Sequence, residues 1–438
     1  MKTTPAQNFQ SDYKHKKIKS LMKLDLFLLH DDKLDNTPKK CIVVSGTKLK
    51  EEIGEYIKNL INDGWTKQNL SEHFSKKLGF SKLTCERLVY LRKDFYHLVF
   101  LRELLKLCNA YNKRFEFQDK IEYIKACQPP EKIYTAVKLV SPELCKLAGA
   151  HAADGTIKDN YFSLSEGYLS NMKTLQTWIF VLFGIKYKIN KISNQEWKIN
   201  FHSKVIARYL THLLYFPNGY KTNIVSIPKP IANTNLKSKQ EFTKGFMTFE
   251  SGIGIKNEIE LCVLSKQIID ELAEVFSNTH VKFVKKKTKS DNYYRIWSGK
   301  INQKEAKQWL QFYEEDTFKY NHLRDYANGY TNTANTFTQA IQILNFAFPK
   351  KPNNKTSLIE LILAMRKIET GNRHDLKNAA KLKSFGGPWN GSLKPYLLIL
   401  EQTKIITTKI GKSNGKSCQI YTYNPNIKTW LLPSAKIE

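Results

Sequence analysis

Acidic residues are scarce in this chain. Its 438 residues carry 40 Asp and Glu against 70 Lys and Arg, a formal net charge of +30. That excess calls for a polyanionic partner, although charge alone does not separate DNA from RNA or from an anionic membrane surface. Long apolar runs are also missing. The longest, around Trp178–Ile185, falls well short of the ~18 residues of a spanning helix, so no membrane partner is expected. The LDLFLL run near the N-terminus contains Asp25 and is too short for a secretory signal. Paired cysteines are absent too: the seven lie at 41, 85, 108, 127, 145, 262 and 418, odd in number and without a CxxC. This excludes a disulfide frame and a zinc knuckle and leaves reduced thiols, hence an intracellular, cytoplasmic and nucleoid-associated setting. The ten histidines show no metal-ligand spacing. What remains is a 41% hydrophobic chain, enough for the cores of two to four domains.

The stretch that organises the rest is Leu147–Gly155, LAGAHAADG. Ser141, Pro142 and Glu143 open a helix there, as N-cap, first-turn proline and acid at the positive end. The helix is expected from about Pro142 to Ala153, with Gly155 as a left-handed stop. Ala148, Gly149, Ala152 and Ala153 leave so little side-chain bulk that a second helix can approach backbone to backbone. A partner exists in Phe242–Gly252, FTKGFMTFESG, where Gly245 precedes Glu250 by five residues just as Gly149 precedes Asp154. His151 reads as a helix residue facing a neighbour, with no catalytic role.

The residues after each acid also correspond. Asp154 is followed by GTIKDNYFSLSEG, LSNMKTLQTWIFVLFG, YKINKIS, WKINFHS and KVIARYLTHLLYF; Glu250 by SGIGIKNEIELCVLS, SKQIIDELAEVFSN, VKFVKKKTKS, YYRIWSGK and KEAKQWLQFY. Each half reads as αββαββα, over about residues 141–215 and 238–318, which predicts an α+β pseudo-twofold core. Packing the two acid-bearing helices along the pseudo-axis sets Asp154 beside Glu250. Two ionised carboxylates that close raise one another's pKa unless a cation lies between them, and hard oxygen ligands suit Mg²⁺.

These paired segments resemble the LAGLIDADG family of homing endonucleases in its single-chain, two-motif form, over roughly Tyr134–His322. The linker FPNGYKTNIVSIPKPI, from Phe216 to Ile231, is similar to the connection that precedes the family's second motif helix. The resemblance implies site-specific, double-strand cleavage of DNA, with Asp154 and Glu250 holding Mg²⁺ or Mn²⁺ for phosphodiester hydrolysis. It implies a core monomeric by internal pseudo-dimerisation and a basic residue near the scissile phosphates, for which Lys204 and Lys300 are the candidates. The second motif departs from the pattern at Thr248, Phe249 and Ser251, and Phe249 predicts a wider or asymmetric helix contact.

A β-ribbon fits a major groove and exposes alternate residues on its outer face. Lys158, Lys188, Lys191, Lys198 and Asn200 in the first half, and Lys256, Lys285, Lys287, Tyr294 and Arg295 in the second, are the DNA-facing candidates. One residue of slip in strand register would reverse any of them.

Residues 1–47 read as a basic, partly disordered tail, and 48–128 as a helical domain. In the latter, Thr66 and Ser81 cap two helices joined at Gly79, with Leu70 and Phe74 inward, and the spacing resembles a helix-turn-helix. A longer helix is expected from Arg87 to Asn112. After breaks near LRDYANGYTNTANTFTQ and FPKKPNNKTS, residues 350–438 give three helices and a hairpin around GKSNGKS. This is a winged-helix-like arrangement in which Lys412 and Lys416 would meet phosphate. The chain has no nucleophilic Cys or Ser at its start and no Asn at its end, so it reads as free-standing rather than as an intein. Two other readings stay open: a DNA-binding transcription regulator that keeps the fold without cutting, and a maturase that binds structured intron RNA.

Overall fold

The computed structural model describes residues 22–37, 40–90, 99–112, 114–127, 132–193, 196–254, 257–287, 292–329, 340–341, 343–344, 354–380, 393–413 and 416–425. By its contacts the chain divides into two compact units, one of Met1–Ser251, Leu261–Trp297 and Gln311–Tyr320, the other of Gly252–Glu260, Ser298–Leu310 and Asn321–Glu438.

In the first unit, residues 22–37 and 40–47, expected as part of a basic tail, are folded onto the domain, while the rest of that expected tail lies outside the described residues. A 3₁₀ turn, Leu26–Leu29, precedes β1 (Ile42–Ser45). Helices α1 (Thr47–Asn62), α2 (Lys67–Leu78) and α3 (Lys82–Val89) follow. Thr66 and Ser81 cap α2 and α3 through their hydroxyls, Gly79 is left-handed between them, and Leu70 and Phe74 are buried. The long helix expected from Arg87 is interrupted. Val99–Phe100 is strand β2, paired with β1, and α4 runs only from Leu101 to Tyr111. An apolar run such as LVFLRELL satisfies either period, and β1 captures its β-branched start. Helix α5 (Arg114–Lys120) and strands β3 (Tyr123–Ala126) and β4 (Tyr134–Thr135) complete a sheet ordered β2-β1-β3-β4.

The duplicated core follows the expected order. The first repeat runs α6 (Pro142–Asp154), β5 (Gly155–Lys158), β6 (Tyr161–Glu166), α7 (Leu169–Phe183), β7 (Ile189–Ser193), β8 (Glu196–His202) and α8 (Lys204–Arg208), which continues as a π turn. After the short α9 (Lys229–Ala232), the second runs α10 (Leu236–Glu250), β9 (Gly252–Ile253), β10 (Glu258–Val263), α11 (Lys266–Asn278), β11 (Val284–Lys287), β12 (Tyr294–Lys300) and α12 (Gln303–Trp309). Both antiparallel sheets have the same internal order, β5-β6-β8-β7 and β9-β10-β12-β11. In the first, Ile157, Phe162, Leu164, Ile199 and Phe201 are buried, so the alternate residues form the opposite face.

The N-terminal segment is tied to the first repeat by a buried charge cluster. Arg208 grips Asp35 with two nitrogens, at 2.6 and 2.8 Å, and His30 Nδ1 and Lys204 Nζ reach the same carboxylate at 3.1 and 3.2 Å. Burial opposes ionisation of Asp35, but His30 and Arg208 outweigh it and hold the carboxyl well below its ordinary range.

Helix α13 (Phe318–Ala327) belongs to the first unit as far as Tyr320, and the second unit holds α14 (Asn354–Ile368). Then come β13 (Thr370–Gly371), α15 (Arg373–Ala380), α16 (Lys394–Gln402), β14 (Ile406–Ser413) and β15 (Lys416–Tyr423), with sheet order β13-β15-β14. Leu358, Leu361, Met365, Leu376, Tyr396 and Leu400 form their core. Strand β13, between the first two helices, was not expected.

Candidate active site at the ends of two crossing helices

Helices α6 and α10 approach backbone to backbone at their glycines. A Cβ on Gly149 would lie within contact of the Phe242 carbonyl and 2.7 Å from Phe246 N; a Cβ on Gly245 would collide with the Lys146 carbonyl. The contact is reciprocal, because each glycine meets the carbonyl three residues before the other. Five residues beyond each glycine, ~7.5 Å along the axis, stand Asp154 and Glu250, at the same end of the pair. Asp154 is exposed and Glu250 half-buried. Burial, and then the neighbouring Asp154, push the Glu250 carboxyl up to about 7, with Lys319 and Lys221 pulling the other way.

Phe249 does not widen the crossing. Its ring packs against Trp178 of α7 at 6.3 Å, outside the glycine contact. Gly155 is not left-handed either: its φ and ψ are −74° and 150°, nearly those of Ser251 at −71° and 151°. Glycine is required at 155 for space, since a Cβ would meet the His151 Cα at 2.7 Å. Position 251 has no such constraint. Ser251 Oγ donates to the Met247 carbonyl at 2.7 Å and shares a 2.9 Å hydrogen bond with the Tyr313 hydroxyl. His151 is wholly buried, packs edge-on against Phe216 at 4.7 Å, and neither ring nitrogen has a hydrogen-bond partner among the described residues. Burial, then Lys221, keeps its imidazole neutral, with its pKa well below the ordinary value.

Two lysines that the sequence reading missed close the site. Lys221 Nζ donates to the carbonyls of Ala152 and Ala153 at 2.7 and 3.2 Å. Lys319 Nζ donates to those of Phe249 and Met247 at 3.1 and 3.5 Å. Each ammonium therefore answers the negative end of one motif helix and its orphan carbonyls. Burial brings Lys221 down to about 8, against the pull of Asp154 and Glu250. The available signal was the repeat itself: Lys221 follows Asp154 by 221 − 154 = 67 residues and Lys319 follows Glu250 by 319 − 250 = 69. Of the two basic candidates named from sequence, Lys204 is occupied elsewhere, on Asp35 and the Lys40 carbonyl. Lys300 is the exposed last residue of β12.

Strand register sorts the remaining candidates. Thr156 pairs with Ser163, Lys158 with Tyr161, Ser163 with Asn200 and Ser165 with Lys198. Lys158, Lys198 and Asn200 thus share the face away from the buried side chains. Lys191 does not: it pairs with Trp197, on the buried side's parity, and lies over that ring at 5.7 Å. Lys188 precedes β7. In the second repeat Ile296 is buried and pairs with Lys285, and Tyr294 pairs with Lys287. Lys285, Lys287 and Tyr294 therefore lie on the helix side, where Lys285 contacts Asp270 of α11 at 2.6 Å. Arg295 is on the outer face, together with Lys286 and Trp297, which the sequence reading passed over. Four assignments, Lys191, Lys285, Lys287 and Tyr294, are thereby inverted. Lys412 is exposed on β14; Lys256 and the Lys416 side chain lie outside the described residues.

Among the described residues no group of three or more His, Cys, Asp and Glu side chains could hold a metal ion. The donor set at the helix ends is the pair Asp154 and Glu250, hard oxygen ligands close enough to perturb one another. That chemistry fits a Mg²⁺-type cation, which Asp154 and Glu250 would hold and whose remaining ligands would be supplied by water and phosphate. No protein-family model and no curated protein matches the chain. Solved structures do align. Variants of the homing endonuclease I-DmoI share 15% identity over 40% of this chain and 96% of theirs, at a TM-score of 0.30. I-DmoI in complex with DNA and Mn shares 16% over 36% and 89%, at 0.28. Full-length DUF199/WhiA from Thermatoga maritima shares 10% over 61% and 94%, at 0.28. Scores that low carry no argument.

Proposed function

We propose that this chain is a divalent-metal-dependent endonuclease acting on duplex DNA. The observation that carries the reading is the reciprocal glycine crossing, which delivers one carboxylate from each repeat to a common end, with a lysine on each helix's last carbonyls. Asp154 and Glu250 would hold the cation, and a bound Mg²⁺ supplies charge stabilisation and lowers the pKa of water. Glu250 must be ionised to serve, and without a cation burial and then Asp154 hold its carboxyl up at about 7, so metal binding would release a proton there. Lys221 and Lys319, buried against the last carbonyls of the two helices, would supply fixed positive charge at the end of the pair that carries the acids. Lys158, Lys198 and Asn200 in one half and Lys286 and Arg295 in the other would contact the duplex from the outer sheet faces. The two capped helices α2 and α3, and the hairpin β14–β15, extend the contact as accessory DNA-binding elements.

A second reading has an observation of its own. The two carboxylates face two ammonium groups, so the site is charge-balanced without a metal, as a regulator that binds DNA without cutting would require. Incubating a randomised duplex library with Mg²⁺ separates the two. The nuclease makes specific double-strand cuts, and Asp154→Asn and Glu250→Gln each slow them by roughly 10³-fold. Tight binding without cuts, unchanged by either substitution, leaves the regulator.

A further inference from the structure

Among the described residues the most exposed large hydrophobic side chain is Ile410, at 84%. It lies on a hairpin that outruns its own core. Strands β14 and β15 pair over eight positions, from Ile406↔Tyr423 to Ser413↔Lys416, but only the Ile406 and Tyr421 end is buried. The hairpin can shelter an aliphatic side chain on its other face, where Ile420 closes over Gly411 and would lie 2.6 Å from a Cβ there. Ile410, opposite Gln419, has no such cover among the described residues.

The surroundings of Ile410 are cationic and held in place. Arg373 donates through Nε to the Tyr421 hydroxyl and through Nη2 to Gln419 Oε1, both at 3.2 Å, and Tyr421 donates to the same Gln419 oxygen at 2.8 Å. Register sets Thr408, Ile410 and Lys412 on the face of Tyr421, Gln419 and Ser417. The face therefore reads guanidinium, amide, isoleucine, ammonium. From Thr403 to Tyr423 the sequence carries Lys404, Lys409, Lys412 and Lys416 and no acid. A single aliphatic side chain among lysines is too little apolar area to anchor on a lipid surface. It is what a wedge between base pairs needs, with cations for the phosphates on either side.

We propose that this hairpin is a minor-groove wedge: Ile410 enters a base step of duplex DNA while Arg373 and Lys412, on the same face, engage the flanking backbone. The inference rests on duplex DNA as the partner but not on cleavage. The test uses the full chain without divalent metal and short duplexes carrying 2-aminopurine at a TpA step, the kind that unstacks most easily. The parent protein is expected to raise the 2-aminopurine fluorescence several-fold and to be displaced by netropsin, a minor-groove ligand. Ile410→Ala should abolish the rise and weaken binding about tenfold, on the order of 1.4 kcal/mol, with an unchanged circular dichroism spectrum. Ile410→Leu should restore both. Binding by the parent without a fluorescence rise, or equal unstacking by Ile410→Ala, overturns the wedge while leaving duplex binding intact. Loss in Ile410→Ala of binding to phosphatidylserine vesicles, with DNA binding untouched, overturns it in favour of a membrane contact. Failure of the parent to bind duplex at all removes the duplex reading along with it.

Discussion

The two motif helices are equals where they cross and unequal where they end. At the crossing, Gly149 and Gly245 meet the carbonyls of Phe242 and Lys146 in reciprocal fashion. At the ends, the first helix presents an exposed Asp154 followed by Gly155, and the second a half-buried Glu250 followed by Ser251, which is fastened to Tyr313. The lysines differ in the same sense. Lys221 reaches the last two carbonyls before Asp154, whereas Lys319 reaches back to Met247. The crossing is fixed by backbone contact and tolerates no side chain. The ends are built from interchangeable polar contacts, so one half can drift while the shared geometry persists.

The symmetric part of that comparison should break with the largest effect. Gly149→Ala and Gly245→Ala each force a methyl group into backbone and are expected to cost about 1–3 kcal/mol, in similar measure, by urea unfolding. Unequal losses would show that one side can give. The asymmetric part shows in pH. The Glu250 carboxyl ionises near 7 in the folded chain and near its ordinary ~4.3 when unfolded, so the unfolded state sheds its proton first. Stability is therefore lost as pH rises through that window, and fully so above 7. With metal chelated, Glu250→Gln should stabilise the chain by about 1–2 kcal/mol at pH 8 and by nothing at pH 4, read from thermal melts. Register makes a smaller prediction. Lys198→Ala and Arg295→Ala should each weaken duplex binding by about 1 kcal/mol and flatten its salt dependence. Lys191→Ala and Lys287→Ala, on the helix side of their sheets, should leave both unchanged.

Much of the core was legible because its signals are local. Ser141 and Pro142 announce α6, small residues mark the crossing, and the order of apolar periods gives both repeats. The same holds for the caps at Thr66 and Ser81. What escaped depends on contacts distant in sequence. Asp35 orders the N-terminal segment through Arg208, 173 residues away, and no window of the tail reveals it. Lys221 and Lys319 look like any other lysines in a basic chain until the helix ends they satisfy are in view. Lys285, Lys287 and Tyr294 were placed on the wrong face because alternation fixes a strand's period and not its phase. Gly155 was recognised as necessary for the wrong reason, a left-handed turn in place of a crowded histidine.

If the chain is the proposed endonuclease, its two acids form one site rather than two. A double-mutant cycle on single-turnover cleavage in Mg²⁺, with Asp154→Asn, Glu250→Gln and the pair, tests it most directly. One composite site predicts that the double variant is no slower than the worse single variant, because the first substitution has already emptied the cation's seat. Losses that multiply, or a parent chain that never cuts, would contradict it.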